Sequence, residues 1–67
     1  MNKFAERLKQ LREDKGLSIR QLANKIDVSH MTISRWEKSI GSPTVESVIA
    51  FAKFFGVTTD YLLGLED

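Results

Sequence analysis

Side chains able to do chemistry are few in this sequence, and most gather in one stretch, His30-Met31-Thr32-Ile33-Ser34-Arg35-Trp36-Glu37-Lys38. A single histidine and no cysteine leave no nucleophile and base constellation and no metal-ligand set, so neither an enzyme nor a cofactor or metal is expected. The stretch does hold groups that recognise nucleic-acid bases. On a helix turning 100° per residue, Trp36, Glu37 and the preceding Ser29 share the side of Ile33, and Met31, Ser34, Arg35 and Lys38 lie opposite. Arg35 can donate a bidentate pair to guanine, Ser34 can donate or accept, and Met31 can touch a thymine methyl. His30 and Thr32 flank that face near the helix start. Trp36 reads as core rather than as a stacking platform.

The elements that must position these groups are all helical. Phe4, Leu8 and Leu11 keep the spacing of one helix face, with Asn2 to cap its start and Gly16 to end it, which predicts a first helix near 3–15. Ser18 and Gln21 make a capping box, with Leu17 and Leu22 as its hydrophobic staple, so a second helix starts at Ile19. It turns Leu22, Ala23 and Ile26 inward and stops at Asp27. Ser29 caps a third helix to about Lys38, stapled by Val28 and Ile33. Helix four opens at Thr44, or at Ser42 with Pro43 as its first residue; it is expected to bury Val45, Val48, Ile49, Ala52 and Phe55 before Gly56 closes it. Thr58 caps a short fifth helix ended by Gly64, with Val57 and Leu62 as its staple.

Sixty-seven residues, 42% apolar and 28% charged, suit one globular domain over 1–67. The absence of cysteine fits a reducing compartment. The longest apolar run, Val48–Ala52, is far short of the ~20 residues that span a bilayer, so a soluble cytoplasmic protein with no membrane partner is expected. Charge is uneven along the chain. Residues 1–40 hold nine Lys and Arg against five acids, and residues 41–67 hold one against four, for a net charge of +1. Such an asymmetry suits a polyanion bound by one face, although charge alone equally describes solvated surface.

Two short helices joined by a three-residue turn, at about 18–38, form a helix-turn-helix unit, and a major groove ~12 Å wide admits one helix. Four segments in register, Leu17-Ser18-Ile19-Arg20-Gln21-Leu22-Ala23, Val28 through Glu37, Pro43-Thr44 and Gly56 through Gly64, make the chain resemble the Cro/C1-type (Xre-type) helix-turn-helix family. The resemblance covers nearly the whole chain. It implies an all-α, five-helix fold like the lambda-repressor DNA-binding domain, and a homodimer on a pseudo-palindromic double-stranded operator with helix three as recognition helix. It places His30, Met31, Ser34 and Arg35 at base-reading positions. Three positions depart from the family: Ile19 where a phosphate-binding glutamine is usual, Asp27 where the turn usually has glycine, and Ser39-Ile40 where glycine and a cation usually follow helix three. Phosphate contacts then fall to Ser18, Arg20, Thr32, Lys38, Ser39 and Ser42, with a modest salt dependence expected.

Two further groups carry structural expectations. Arg12, on the inner flank of helix one, and Glu37, at the inner edge of helix three, would each be costly to bury alone and are expected to pair. Phe54, with Tyr61 and Leu65, forms either a dimerisation patch or part of a small core. The functional expectation is a sequence-specific transcriptional regulator, a dimeric repressor of phage or prophage type, with no small-molecule substrate. The alternative is a protein-interaction module on the same fold, such as an antitoxin or co-regulator.

Overall fold

A computed structural model describes residues 2–66 as five α-helices, with no strand among the described residues. They are α1 (Lys3–Asp14), α2 (Ile19–Ile26), α3 (His30–Glu37), α4 (Val45–Phe55) and α5 (Thr59–Leu63). Each start is set by a side-chain cap. Asn2 Oδ1 accepts from the Ala5 N–H at 2.7 Å, and the hydroxyls of Ser18, Ser29, Thr44 and Thr58 accept from the N–H three residues on. At Ser18 the bond is reciprocated, because the Ser18 N–H donates to Gln21 Oε1 at 2.8 Å. Orphan amide donors that would otherwise weaken helices this short are thereby satisfied.

The turn between α2 and α3 is made by Asp27, which sits in the left-handed region at φ 62°, ψ 41°. Ser39 does the same after α3, at φ 64°. Its N–H donates to the Trp36 carbonyl and that of Ile40 to the Arg35 carbonyl, a Schellman closure normally built on glycine. The Asn2 N–H donates to Ser39 Oγ at 3.1 Å, tying the start of α1 to this closure.

Helices α1 and α2 both pack on α3, and α5 packs on α1 and α4. The shared core holds Phe4 and Leu8 of α1, Leu22 of α2, Ile33 and Trp36 of α3, Val48, Phe51 and Ala52 of α4, and Leu62 of α5. Phe4, Trp36 and Phe51 pack as a trio, with ring centroids 6.1–6.4 Å apart. That trio corrects the expected phase of α4. Phe51 is fully buried, whereas Val45 and Ile49 are 73% and 41% exposed and Phe55 is half-buried. Filling the space between Phe4 and Trp36 with a phenyl ring removes more apolar area from water than Ile49 could, and the helix rotates to suit. Among the described residues, no helix is long and apolar enough to cross a membrane.

Candidate nucleic-acid interface

Helix α3 is held by its inner side and free on its outer one. Ile33 and Trp36 are buried in the core, and Glu37, at 5% exposure, is the one buried charged residue among those described. Arg12 meets it in a fork: Nε lies 2.7 Å from Oε2 and Nη2 3.0 Å from Oε1, while Nη1 donates to the Leu17 carbonyl at 2.8 Å. The hydrogen bond to Glu37 raises the Arg12 pKa above its ordinary value, with burial opposing it, so the guanidinium stays charged. This pair fixes the last turn of α3 against α1.

On the outer side, Met31 is 65% exposed, Arg35 and Lys38 are exposed, and Ser34 and His30 are partly so. Structure and helical spacing place Met31, Ser34 and Arg35 together on one face, with His30 at its leading edge. Ser29, grouped with the inner residues by spacing alone, is exposed as the cap of α3. An apolar methionine and a charged guanidinium standing out to solvent side by side form a surface with hydrogen-bonding and van der Waals capacity for a base-pair edge.

The residues expected to touch phosphates lie on α2 and its cap, on α3 and in the segment that follows it. Ser18 accepts from the Gln21 N–H, Thr32 Oγ1 accepts from the Ser29 hydroxyl, and Ser39 accepts from the Asn2 N–H. Each therefore keeps its own hydroxyl proton for an outside acceptor. Arg20 is exposed on α2 and Ser42 in the loop before α4. Arg20 and Asn24 also line a polar cleft between α2 and the start of α3, together with Asp27, Ser29 and His30. Sequence reasoning passed over Asn24, although its i, i+4 spacing from Arg20 was the available signal.

Phe54, Tyr61 and Leu65 have separate surroundings. Phe54 packs edge-on against Phe55 with the Lys15 ammonium 5.6 Å from its ring, and Tyr61 lies beneath the Arg7 guanidinium at 4.1 Å. Arg7 also donates to the carbonyls of Tyr61 and Glu66, holding the segment after α5 on α1. Leu65 is exposed. Exposed apolar surface collects instead in a groove between α4 and α5 lined by Pro43, Val45, Val48, Ile49, Thr59 and Leu63.

A helix-turn-helix family model matches residues 8–62, and the chain belongs to this Cro/C1-type family. The fold is close to that of the P22 c2 repressor in complex with a synthetic operator, with a TM-score of 0.89 at 29% identity over 98% of this chain and 100% of that one. In sequence, the chain is 47% identical over 64 residues to the HTH-type transcriptional activator BcrR of Enterococcus faecalis, which covers 96% of this chain and 31% of the activator. It is 37% identical over 54 residues to the cryptic phage CTXphi transcriptional repressor RstR of Vibrio cholerae, covering 81% of this chain and 49% of the repressor. The chain thus spans half or less of the length of either relative. Both are regulators of transcription rather than enzymes.

Proposed function

We propose that residues 1–67 act as the DNA-binding domain of a transcriptional regulator that reads a twofold-symmetric operator as a homodimer. The observation that carries this reading is the solvent face of α3, where Met31 and Arg35 stand exposed on a helix anchored from behind by Trp36 and the Arg12–Glu37 pair. Helix α3 lies in the major groove; His30, Met31, Ser34 and Arg35 face base edges, and Ser18, Arg20, Thr32, Lys38, Ser39 and Ser42 face the backbone. Steric occupation of a promoter by the dimer accounts for repression, the role named for the P22 c2 protein and RstR. The activator BcrR is named for the opposite role, and the same bound dimer serves it where the operator lies upstream.

Two recognition helices on one face of the duplex sit ~34 Å apart. That spacing is close to the 28 Å long dimension of the body, so two copies meet edge to edge. The groove carrying Val45, Ile49 and Leu63 follows α3 by one short loop and supplies the apolar surface for a second copy.

Selection from a random duplex pool, followed by titration of the winning sequence at two salt concentrations, tests the proposal. Paired half-sites spaced by ~10 bp are expected. Arg35→Ala should cost about 1–3 kcal/mol and relax preference at one position, whereas Lys38→Ala should weaken all sequences alike. Unpaired half-sites would overturn the dimer, and no enrichment by the folded protein would overturn DNA reading itself in favour of a protein partner.

A further inference from the structure

The sulfur of this chain resides in two thioethers, Met1 and Met31, and no cysteine is present to react with an oxidant ahead of them. Met31 is 65% exposed, and it belongs neither to the core nor to the partly buried side chains packed against it. Methionine more often fills gaps in a core, where an added oxygen breaks the packing. Here nothing in the fold rests on the side chain, so its oxidation leaves the five helices as they are. Trp36, the other side chain of α3 that strong oxidants attack, is shielded at 8% exposure. The position of Met31 gives an added oxygen its consequence. Met31 and Arg35 stand one turn apart on the outer face of α3, and side chains at i and i+4 are neighbours on a helix surface.

Resting on the reading of α3 as the major-groove helix, we infer that Met31 is a reversible oxidation site, which takes one oxygen from a peroxide and releases the operator as its sulfoxide. The thioether sulfur attacks one oxygen of the peroxide. An S–O bond forms, the O–O bond breaks, and the departing oxygen takes up the proton and leaves as water or an alcohol. Sulfur is oxidised by two electrons and the peroxide is reduced by two. Two effects then act in the same direction. A sulfoxide is polar and hydrated, so pressing it against a base edge carries a desolvation cost that the thioether does not. Its oxygen is also a hydrogen-bond acceptor within one turn of Arg35, and a guanidinium that donates to it is withdrawn from guanine. Methionine sulfoxide reductases, one for each epimer, return the thioether. Bound DNA covers the outer face of α3, so the free protein is the form that reacts.

Hydrogen peroxide applied to the intact chain, with binding to its selected operator measured before and after, tests the inference. Trypsin should release the Ile26–Arg35 peptide carrying one added oxygen, and bound operator should slow that addition. Affinity should fall about tenfold or more, the scale of a lost base contact, with preference relaxed at the position that Arg35 reads. Circular dichroism should be unchanged, and the two reductases with a thiol should restore binding. Met31→Leu should bind equally before and after peroxide, whatever its starting affinity. Met31→Gln, which sets a polar acceptor at similar reach, should bind like the oxidised wild type. Full conversion of Met31 to its sulfoxide with affinity unchanged would overturn the inference while leaving α3 as the reader. An equal peroxide-dependent loss in Met31→Leu would overturn it too, by placing the sensitive group elsewhere. Failure of the untreated wild type to bind any duplex would refute the parent reading and this inference with it.

Discussion

Replacing Arg12 by methionine removes the guanidinium while keeping an apolar stem of similar length, which isolates the charge from its packing. Arg12 and Glu37 side chains are 11% and 6% exposed. The substitution leaves a desolvated carboxylate without its two donors, at 2.7 and 3.0 Å, and takes the donor at 2.8 Å from the Leu17 carbonyl. Breaking a buried pair from one side costs about 3–5 kcal/mol, whereas an exposed pair contributes about 0–1. A chain of this length has a total stability on the order of 3–10 kcal/mol, so the variant should lose roughly a third of it or more. Urea titration followed by circular dichroism reads the loss as a fall in the midpoint at constant slope. Arg12→Met with Glu37→Met should recover to within about 1 kcal/mol of wild type, because neither charge is then left buried alone. A loss below about 1 kcal/mol in the single variant, or a double variant no better than the single, would refute the account.

Two further outcomes follow from the packing. Gly64→Ala should destabilise more than Gly56→Ala: both residues have positive φ, but a Cβ at Gly64 would collide with the Lys3 side chain and one at Gly56 meets open space. Thermal midpoints of the two variants settle the order, and equal losses would mean that α1 yields at Lys3. In the groove, Val45→Asp with Leu63→Lys should abolish cooperative binding to paired half-sites while leaving a single half-site bound, as gel shift on both probes would show. Undiminished cooperativity would move the dimer contact elsewhere.

Local signals carried most of the fold. Asn2, Ser18, Ser29 and Thr58 each cap the helix that their spacing marked, because a cap is decided within four residues of chain, and of the two starts open to α4 the structure takes Thr44 rather than Ser42. The outer face of α3 was legible for a related reason, since eight residues with a clear polar and apolar division admit one rotation. Helix α4 was not. Its run Val48-Ile49-Ala50-Phe51-Ala52 is apolar all round, so periodicity leaves its rotation open until Phe4 and Trp36, distant in sequence, claim Phe51. The same rotation brought Val45 and Ile49 to the surface and made the groove, which no reading of α4 alone could place. The separate surroundings of Phe54 and Tyr61 depend on Lys15, the C-cap of α1, and on Arg7 within it, contacts that span 39 and 54 positions of sequence.

The division of α3 into an anchored side and an open one also bears on how such a protein changes over generations. Ile33, Trp36 and Glu37 hold the helix, and Met31, Ser34 and Arg35 hold nothing. Substitutions on the open side therefore alter the ligand without taxing the scaffold, and a lineage can drift to a new target site through stable intermediates. A graft of three or four side chains onto this body should redirect it, because the scaffold that presents them is indifferent to which message they carry.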